Sequence, residues 1–279
     1  FSVEWISLGY GWLWAPSKYP SFPLRIKGGV MFIPIGDDNR DRRRIPVVTY
    51  LLIGLNIFVF VFYQGCGADY RFTYSYSMVP AEILSGKDIV TPSQVRIDPF
   101  TGLRVRIPGL QPTPIPVLLT ILTSLFMHGG IAHLLGNMLY LYIFGDNLED
   151  RMGKFRYIVF YLLCGVVAAL SHVFVSLTLE SGLLTPTLGA SGAISGVLGG
   201  YLILFPHKLV RVLFIQFILS VPAGVVLVLW FLFQLINGLG YLGGSVEGGG
   251  VAYAAHIGGF IAGVILVKVF TPERRYYYW

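Results

Sequence analysis

Six apolar stretches divide the chain, and they limit what it can fold into more than any other feature. A helix needs about 20 mostly apolar residues to cross a bilayer. The stretches lie at about 46–63, 131–144, 157–177, 190–205, 212–236 and 251–270, the second being short but preceded by an amphipathic segment. Charged residues make up only 12% of the chain, which is about half of the usual share. The sequence therefore predicts an all-α membrane protein, a bundle of six transmembrane helices.

The lysines and arginines between these stretches predict the orientation of the bundle. Four arginines lie between positions 40 and 44, just before the first stretch, whereas the loops at about 178–189 and 237–250 contain neither Lys nor Arg. Cytoplasmic loops of membrane proteins carry an excess of Lys and Arg. We therefore expect both termini in the cytoplasm, with a membrane domain over residues 45–271 between tails at 1–44 and 272–279.

The positive net charge of +6 does not indicate a nucleic-acid partner. The basic residues fall between apolar stretches instead of forming the stripe or patch that such a partner requires. The two cysteines, Cys66 and Cys164, do not have the spacing of metal ligands, and we expect neither a metal nor a cofactor.

The first thirty residues are rich in Trp, Tyr and Pro but show no helical or strand periodicity. From Met31 the chain has a short polar and basic lead into the first stretch. We expect translation to start at Met31, which would make residues 1–30 an extension. The alternative is a segment that lies at the membrane surface, where Trp and Tyr are favoured.

Polar side chains inside apolar stretches are costly, which makes them candidates for function. Ser191 lies in the segment Gly189-Ala190-Ser191-Gly192, where an outer loop meets the fourth stretch. Free backbone N–H groups at a helix start can stabilise an oxyanion. A serine becomes a nucleophile when a neighbouring base takes its proton. Taken alone, a serine in this setting is more often a helix cap or a packing residue.

The spacing of small residues indicates which helix brings a base to Ser191. Pairs of glycines four residues apart occur in the fourth and sixth stretches, at Gly192 and Gly196 and at Gly259 and Gly263. Such faces let two membrane helices pack closely. His256 lies three residues before Gly259 and shares its face. We expect Ser191 and His256 to meet, with a neutral imidazole as general base. A packing histidine is the alternative for His256 alone.

His133 and Asn137 lie four residues apart in the second stretch and so share one face. Both can donate a side-chain hydrogen bond, which suits an oxyanion hole beside the Ser191 N–H group. A polar contact between helices is the alternative. His128 lies off that face, and we expect a structural role for it.

Other ionisable residues carry no predicted function. His172 and His207 are interpreted as incidental. The acidic residues Asp146, Glu149 and Asp150 are interpreted as part of a solvated cytoplasmic loop.

Taken together, three segments resemble the rhomboid family of intramembrane serine proteases. In the family's order they are His133-Leu134-Leu135-Gly136-Asn137, Gly189-Ala190-Ser191-Gly192 and Ala255-His256-Ile257-Gly258-Gly259. The segment at 144–150 is also similar to bacterial and archaeal rhomboids. The resemblance covers about residues 42–270, and each expected segment lies on the expected stretch.

This resemblance implies a Ser–His dyad without an acidic third member. Ser191 would be acylated, His256 would act as base and then as acid, and His133 and Asn137 would help to hold the oxyanion. The implied substrates are transmembrane proteins cleaved near the outer membrane face, and the implied location is a prokaryotic inner membrane. Some rhomboids stack an aromatic residue on the histidine from a position that is Ser195 here. The orientation of His256 must then be fixed otherwise, and Ser195 is a minor rival nucleophile.

Two other functions are left open by the sequence. The first is a catalytically inactive rhomboid relative that binds transmembrane clients, although such proteins usually lose the serine or the histidine and this chain keeps both. The second is a small transporter or channel with His133 and His256 along a pathway. The lack of internal repeats and of acidic residues within the stretches argues against it. The sequence does not indicate an oligomeric state.

Overall fold

The computed structural model describes residues 32–97, 104–242 and 250–271, most of which are helical. In chain order the elements are β1 (Phe32–Asp37), α1 (Val47–Phe58, continued by a π-helical turn at Val59–Tyr63), α2 (Tyr70–Tyr76), α3 (Pro80–Ser85), β2 (Gln94–Ile97), β3 (Arg104–Ile107), α4 (Thr120–Thr123), α5 (Ile131–Met152), α6 (Lys154–Thr178), α7 (Ser191–Leu204), β4 (Leu209–Phe214), β5 (Phe217–Pro222), α8 (Ala223–Leu242) and α9 (Gly250–Phe270). The all-α bundle is confirmed, with short strands added to it. The expectations for residues 1–31, including a start at Met31, and for the tail at 272–279 lie outside the described residues.

Helices occupy the predicted stretches, but their lengths differ. Two described helices are long and apolar enough to cross a membrane, Lys154–Thr178 and the Tyr253–Phe270 part of α9. The helical segments Val117–Phe126 and Ile131–Met152 are bent by 79° relative to each other. If they form one span, the described residues contain three helices or helix pairs that can cross a membrane. Shorter apolar helices lie at Val47–Tyr63, Ser191–Leu204 and Ala223–Leu239. The number of six crossings therefore stays a prediction.

The start of the fifth predicted stretch, at 212, is wrong. Residues 209–222 form an antiparallel hairpin, β4 with β5, and α8 begins only at Ala223. Val210 and Val212 are fully buried, whereas Arg211 between them is exposed. This alternation with period two is the pattern of a strand. High apolar content concealed it. At its other end α8 continues to Leu242, past the point where the outer loop was predicted to begin.

The hairpin forms a three-stranded sheet with a segment that the sequence predicted as part of the N-terminal tail. β1 pairs antiparallel with β4, from Phe32 opposite Phe214 to Asp37 opposite Val210. Residues 32–37 are therefore part of the folded unit.

A buried polar cluster joins this sheet to α5 and α7. The Asp37 carboxylate accepts hydrogen bonds from Tyr201 Oη (2.6 Å) and Asn147 Nδ2 (2.7 Å). Lys208 Nζ donates to Asn147 Oδ1 (2.6 Å) and to Asp41 Oδ1 (2.6 Å). Burial raises the pKa of the Asp37 carboxyl, and the hydrogen bond from Tyr201 is the largest effect that opposes it.

The acidic residues near position 149 do not form a solvated loop, which corrects that prediction. α5 continues through Met152, and Glu149 is buried. Its carboxylate accepts from the backbone N–H groups of Val48 (2.9 Å) and Thr49 (2.8 Å), which lie at the start of α1. The first N–H groups of a helix have no partner within it. An acidic side chain there satisfies them and interacts favourably with the helix dipole.

α7 lies at the centre of the bundle, packed against α5, α6 and α9. Ala193, Val197 and Tyr201 have no exposed surface. The 14 residues of α7 give it a length of about 21 Å, less than the roughly 30 Å of a bilayer's hydrocarbon core. Residues 192–201 of this helix are all buried, so this part needs no lipid-facing surface.

Candidate active site

Ser191 and His256 are brought together by two helices that meet through glycine. Ser191 is the first residue of α7, and His256 lies in the second turn of α9. The distance between Ser191 Oγ and His256 Nε2 is 2.8 Å. When Nε2 carries the lone pair, the serine hydroxyl donates to it, which is the geometry that general-base activation requires.

Close backbone contact between α7 and α9 makes this approach possible. A Cβ added at Gly259 would overlap the carbonyl oxygen of Gly192, and one added at Gly263 would overlap that of Gly196. A Cβ at Gly192 would lie 2.6 Å from the Cβ of Ala168 on α6. Any larger side chain on these faces would push the helices apart.

His133 is the third of the predicted site residues that lie close together, next to Ser191 and Gly189. Gly189 has a φ of 130°, in the left-handed region that favours glycine. The point where a Cβ on Gly189 would stand is 3.1 Å from His133 Nε2 and 3.6 Å from Ser191 Oγ. His133 Nδ1 accepts from the backbone N–H of Gly129 (3.4 Å), which leaves the proton on Nε2. His133 Nε2, a donor, and Ser191 Oγ, the candidate nucleophile, thus lie on the same side of Gly189.

Asn137, the second predicted oxyanion donor, has its side chain bonded to the backbone of its own helix. It is buried one turn after His133, and its Nδ2 donates to the His133 carbonyl oxygen of its own helix at 2.9 Å. The second hydrogen of the amide is not used by this bond.

Ser195 has its hydroxyl turned to the backbone. Its Oγ donates to the carbonyl oxygen of Ser191 at 2.6 Å, and the side chain is buried. His256 has its short contact with Ser191, which makes Ser195 the weaker of the two candidate nucleophiles.

Two residues of α8 complete the surroundings of His256, and sequence reasoning missed both. Gln234 Oε1 lies 2.9 Å from His256 Nδ1. The ring centroid of Trp230 lies 6.2 Å from that of the imidazole. The two residues are four apart and share one face of α8. An amide within an apolar stretch is itself a signal of function, and this signal could have identified Gln234.

Two further histidines contact side chains near the site. His172 was interpreted as incidental, but its Nε2 lies 2.8 Å from Thr187 Oγ1 in the loop that leads to Ser191. The same loop is joined to Met78 by two backbone hydrogen bonds of 2.7 and 3.1 Å. The ring of His128 packs edge-on against that of His133, with centroids 5.2 Å apart.

A small cavity opens beside the two reactive side chains. Its volume is about 40 Å³, and its lining includes Ser191, His256, Leu125 and Thr187. A cavity needs about 10–15 Å³ to hold one water molecule. This space can therefore admit water or a small side chain next to the serine hydroxyl.

Comparisons with known proteins match the chain to rhomboid proteins. The family model described as the Rhomboid domain matches residues 117–273. The chain is 28% identical over 218 residues to Rhomboid protein 1, mitochondrial, of Saccharomyces cerevisiae, covering 78% of this chain and 51% of that protein. It is 30% identical over 214 residues to RHOMBOID-like protein 4 of Arabidopsis thaliana, covering 76% and 46%.

A bacterial relative carries the word protease in its name. The chain is 30% identical over 146 residues to Rhomboid protease GluP of Bacillus subtilis, covering 51% of this chain and 24% of that protein. The chain spans about half the length of the first two relatives. Because the Rhomboid domain model matches more than half of the residues of this chain, the chain belongs to the rhomboid family.

Proposed function

We propose that this membrane-embedded rhomboid is a serine endopeptidase that cleaves transmembrane segments of membrane proteins. The observation that carries the proposal is the 2.8 Å distance between Ser191 Oγ and His256 Nε2, on two apolar helices in backbone contact. Membership of a family that includes a named protease supports it. A rhomboid-like protein that binds transmembrane clients without cleaving them has no need of this contact.

The proposed reaction begins with proton transfer from Ser191 Oγ to His256 Nε2. The serine oxygen attacks the carbonyl carbon of the scissile peptide bond, and a tetrahedral intermediate forms. His256 then gives the proton to the leaving nitrogen, and the C–N bond breaks to leave an acyl-enzyme. Water attacks the ester next, with His256 again as base, and releases the second product. The cavity beside the dyad offers space for that water.

The oxyanion of the intermediate is proposed to be held by donors on α5 and α7. His133 Nε2 is near the nucleophile, since the Cβ position of Gly189 lies 3.1 Å from His133 Nε2 and 3.6 Å from Ser191 Oγ. The N–H group of Ser191 is at the start of α7, where helical N–H groups lack partners within the helix. The second amide hydrogen of Asn137, which the bond to His133 does not use, is the third candidate donor. Donors that are already in place before charge develops are a large source of rate acceleration.

The substrates and the orientation are also part of the proposal. We propose that transmembrane substrates are cut near the outer membrane face, because Ser191 follows a loop without Lys or Arg. Both termini would then lie in the cytoplasm, in a prokaryotic inner membrane. The basic residues between positions 40 and 44, next to α1, support this orientation.

A serine-reactive fluorophosphonate tests the proposal without knowledge of the substrate. An activated serine displaces fluoride from phosphorus and keeps the phosphonyl group, which intact-mass spectrometry detects. We expect one added group on the full chain in detergent, none on Ser191→Ala, and one on Ser195→Ala. Equal labelling of the wild-type chain and Ser191→Ala would contradict the assignment of the nucleophile.

A further inference from the structure

The imidazole of His256 has a partner on each of its two nitrogen atoms. Nε2 lies 2.8 Å from Ser191 Oγ, and Nδ1 lies 2.9 Å from Gln234 Oε1. A neutral imidazole has one N–H donor and one lone pair. An amide oxygen can only accept, so Nδ1 carries the proton and Nε2 is the acceptor. This is the tautomer that can take a proton from Ser191.

Gln234 is itself held in a defined place. The residue is 7% exposed and lies within the apolar helix α8. One turn earlier, the centroid of the Trp230 ring lies 6.2 Å from that of the imidazole and 5.9 Å from that of the Phe260 ring. α8 therefore brings an aromatic ring and an amide next to His256. The amide oxygen contacts Nδ1 in the orientation of the imidazole that also directs Nε2 to Ser191.

We infer that Gln234 is a positioning residue that fixes the tautomer and the ring orientation of His256 for its role as base. The inference rests on the proposed protease function. In soluble serine proteases a buried aspartate on the other ring nitrogen has this role. A neutral amide does the same without placing a charge among apolar helices, where an ionised group is costly. The site is then a hydrogen-bonded triad of Ser191, His256 and Gln234, in which Gln234, on α8, orients the imidazole and takes no proton.

Three variants of the full chain separate positioning from simple packing. Gln234→Met keeps the length of the side chain but removes the acceptor. Gln234→Glu keeps an acceptor oxygen next to Nδ1, because a buried carboxyl that stays protonated still has its carbonyl oxygen. The matched control is Asn237→Leu, because Asn237 is an amide on the same helix whose Nδ2 donates to the Phe233 carbonyl oxygen of that helix (2.7 Å).

Turnover of a transmembrane peptide in liposomes gives the first measurement. We expect Gln234→Met to lower kcat by about 10²-fold with little change in KM, since a misplaced catalytic group costs roughly that much. Gln234→Glu should recover most of the loss, and Asn237→Leu should match the wild type. Full kcat in Gln234→Met would overturn the inference, and so would equal losses in Gln234→Met and Gln234→Glu.

The second measurement is independent of turnover. Nitrogen NMR of the ¹⁵N-histidine-labelled chain reports which ring nitrogen of His256 is protonated, with the signal assigned by its absence in His256→Ala. We expect protonated Nδ1 in the wild type and in Asn237→Leu, and a tautomer mixture in Gln234→Met. A wild-type ring protonated on Nε2 would overturn the inference. If no peptide is cleaved by the wild type, the protease function fails, but this spectrum still decides whether Gln234 sets the tautomer.

Discussion

The backbone of Gly259 lies so close to the carbonyl oxygen of Gly192 that a Cβ on Gly259 would overlap it. One turn further along α9, Gly263 meets the carbonyl oxygen of Gly196 in the same way. α7 and α9 thus touch through backbone atoms at two successive levels. This contact sets the separation between the helices that carry Ser191 and His256.

Replacing Gly259 by Leu should therefore inactivate the protein without changing either reactive residue. The added side chain pushes α9 away from α7, and a displacement of about 1 Å in a catalytic group can cost roughly 10² in rate. The control is Gly54→Leu on α1, since a Cβ on Gly54 would meet nothing within 4 Å. Peptide cleavage in liposomes is the measurement. Wild-type activity in Gly259→Leu would show that this helix contact does not position the dyad.

Gly189→Ala is expected to lower activity more than it lowers stability. The new Cβ would lie 2.9 Å from His133 Cε1, in the space beside Ser191 Oγ. The positive φ of Gly189 also means that alanine at this position destabilises the fold, by about 1–2 kcal/mol. Gly86→Ala is the matched control, because Gly86 has a φ of 68° but open space around its Cβ position. Kinetics and thermal unfolding of both variants should show similar stability losses but an activity loss in Gly189→Ala alone. Equal activity in the two variants would argue against a role of His133 as an oxyanion donor.

His133→Ala should lower kcat with little effect on KM, by roughly 10²–10³ for one oxyanion donor. Asn137→Ala should have a smaller effect, because its amide is bonded to the His133 carbonyl oxygen. Steady-state kinetics of both variants with one transmembrane peptide provides the comparison. A raised KM with unchanged kcat in His133→Ala would assign this residue to substrate binding instead.

Glu149→Ala should destabilise the fold by about 1–3 kcal/mol, because buried donors at the start of α1 lose their acceptor. Asp150→Ala is the control. Asp150 accepts from the backbone N–H groups of Arg43 and Arg44, at more exposed positions (3.2 and 2.8 Å). Thermal unfolding in detergent measures both. A larger loss in Asp150→Ala than in Glu149→Ala would contradict this assignment of the cap.

The spacing of small residues in the sequence accounts for much of the contact between α7 and α9. Glycines four residues apart predicted that the fourth and sixth stretches would face each other, and the structure has Ser191 Oγ 2.8 Å from His256 Nε2. This works because small residues are needed wherever two backbones touch. The family resemblance was carried by these same segments.

The features that the sequence did not predict depend on distant pairings or on patterns that apolar content conceals. Glu149 caps a helix about one hundred positions away, and spacing along the chain does not indicate such a pair. The strand at Leu209–Phe214 is mostly apolar, like the helical stretches, and this concealed its alternation between exposed and buried positions. Gln234 is one amide in a long apolar stretch, and its partner His256 lies on another helix.

The most direct test of the central claim is cleavage of a fluorogenic transmembrane peptide by the purified chain in liposomes. The wild type should cleave it, and Ser191→Ala and His256→Ala should each lose about a million-fold in turnover, as soluble serine proteases do. Ser195→Ala should keep its activity. Substantial cleavage by Ser191→Ala, with loss in Ser195→Ala, would contradict the account.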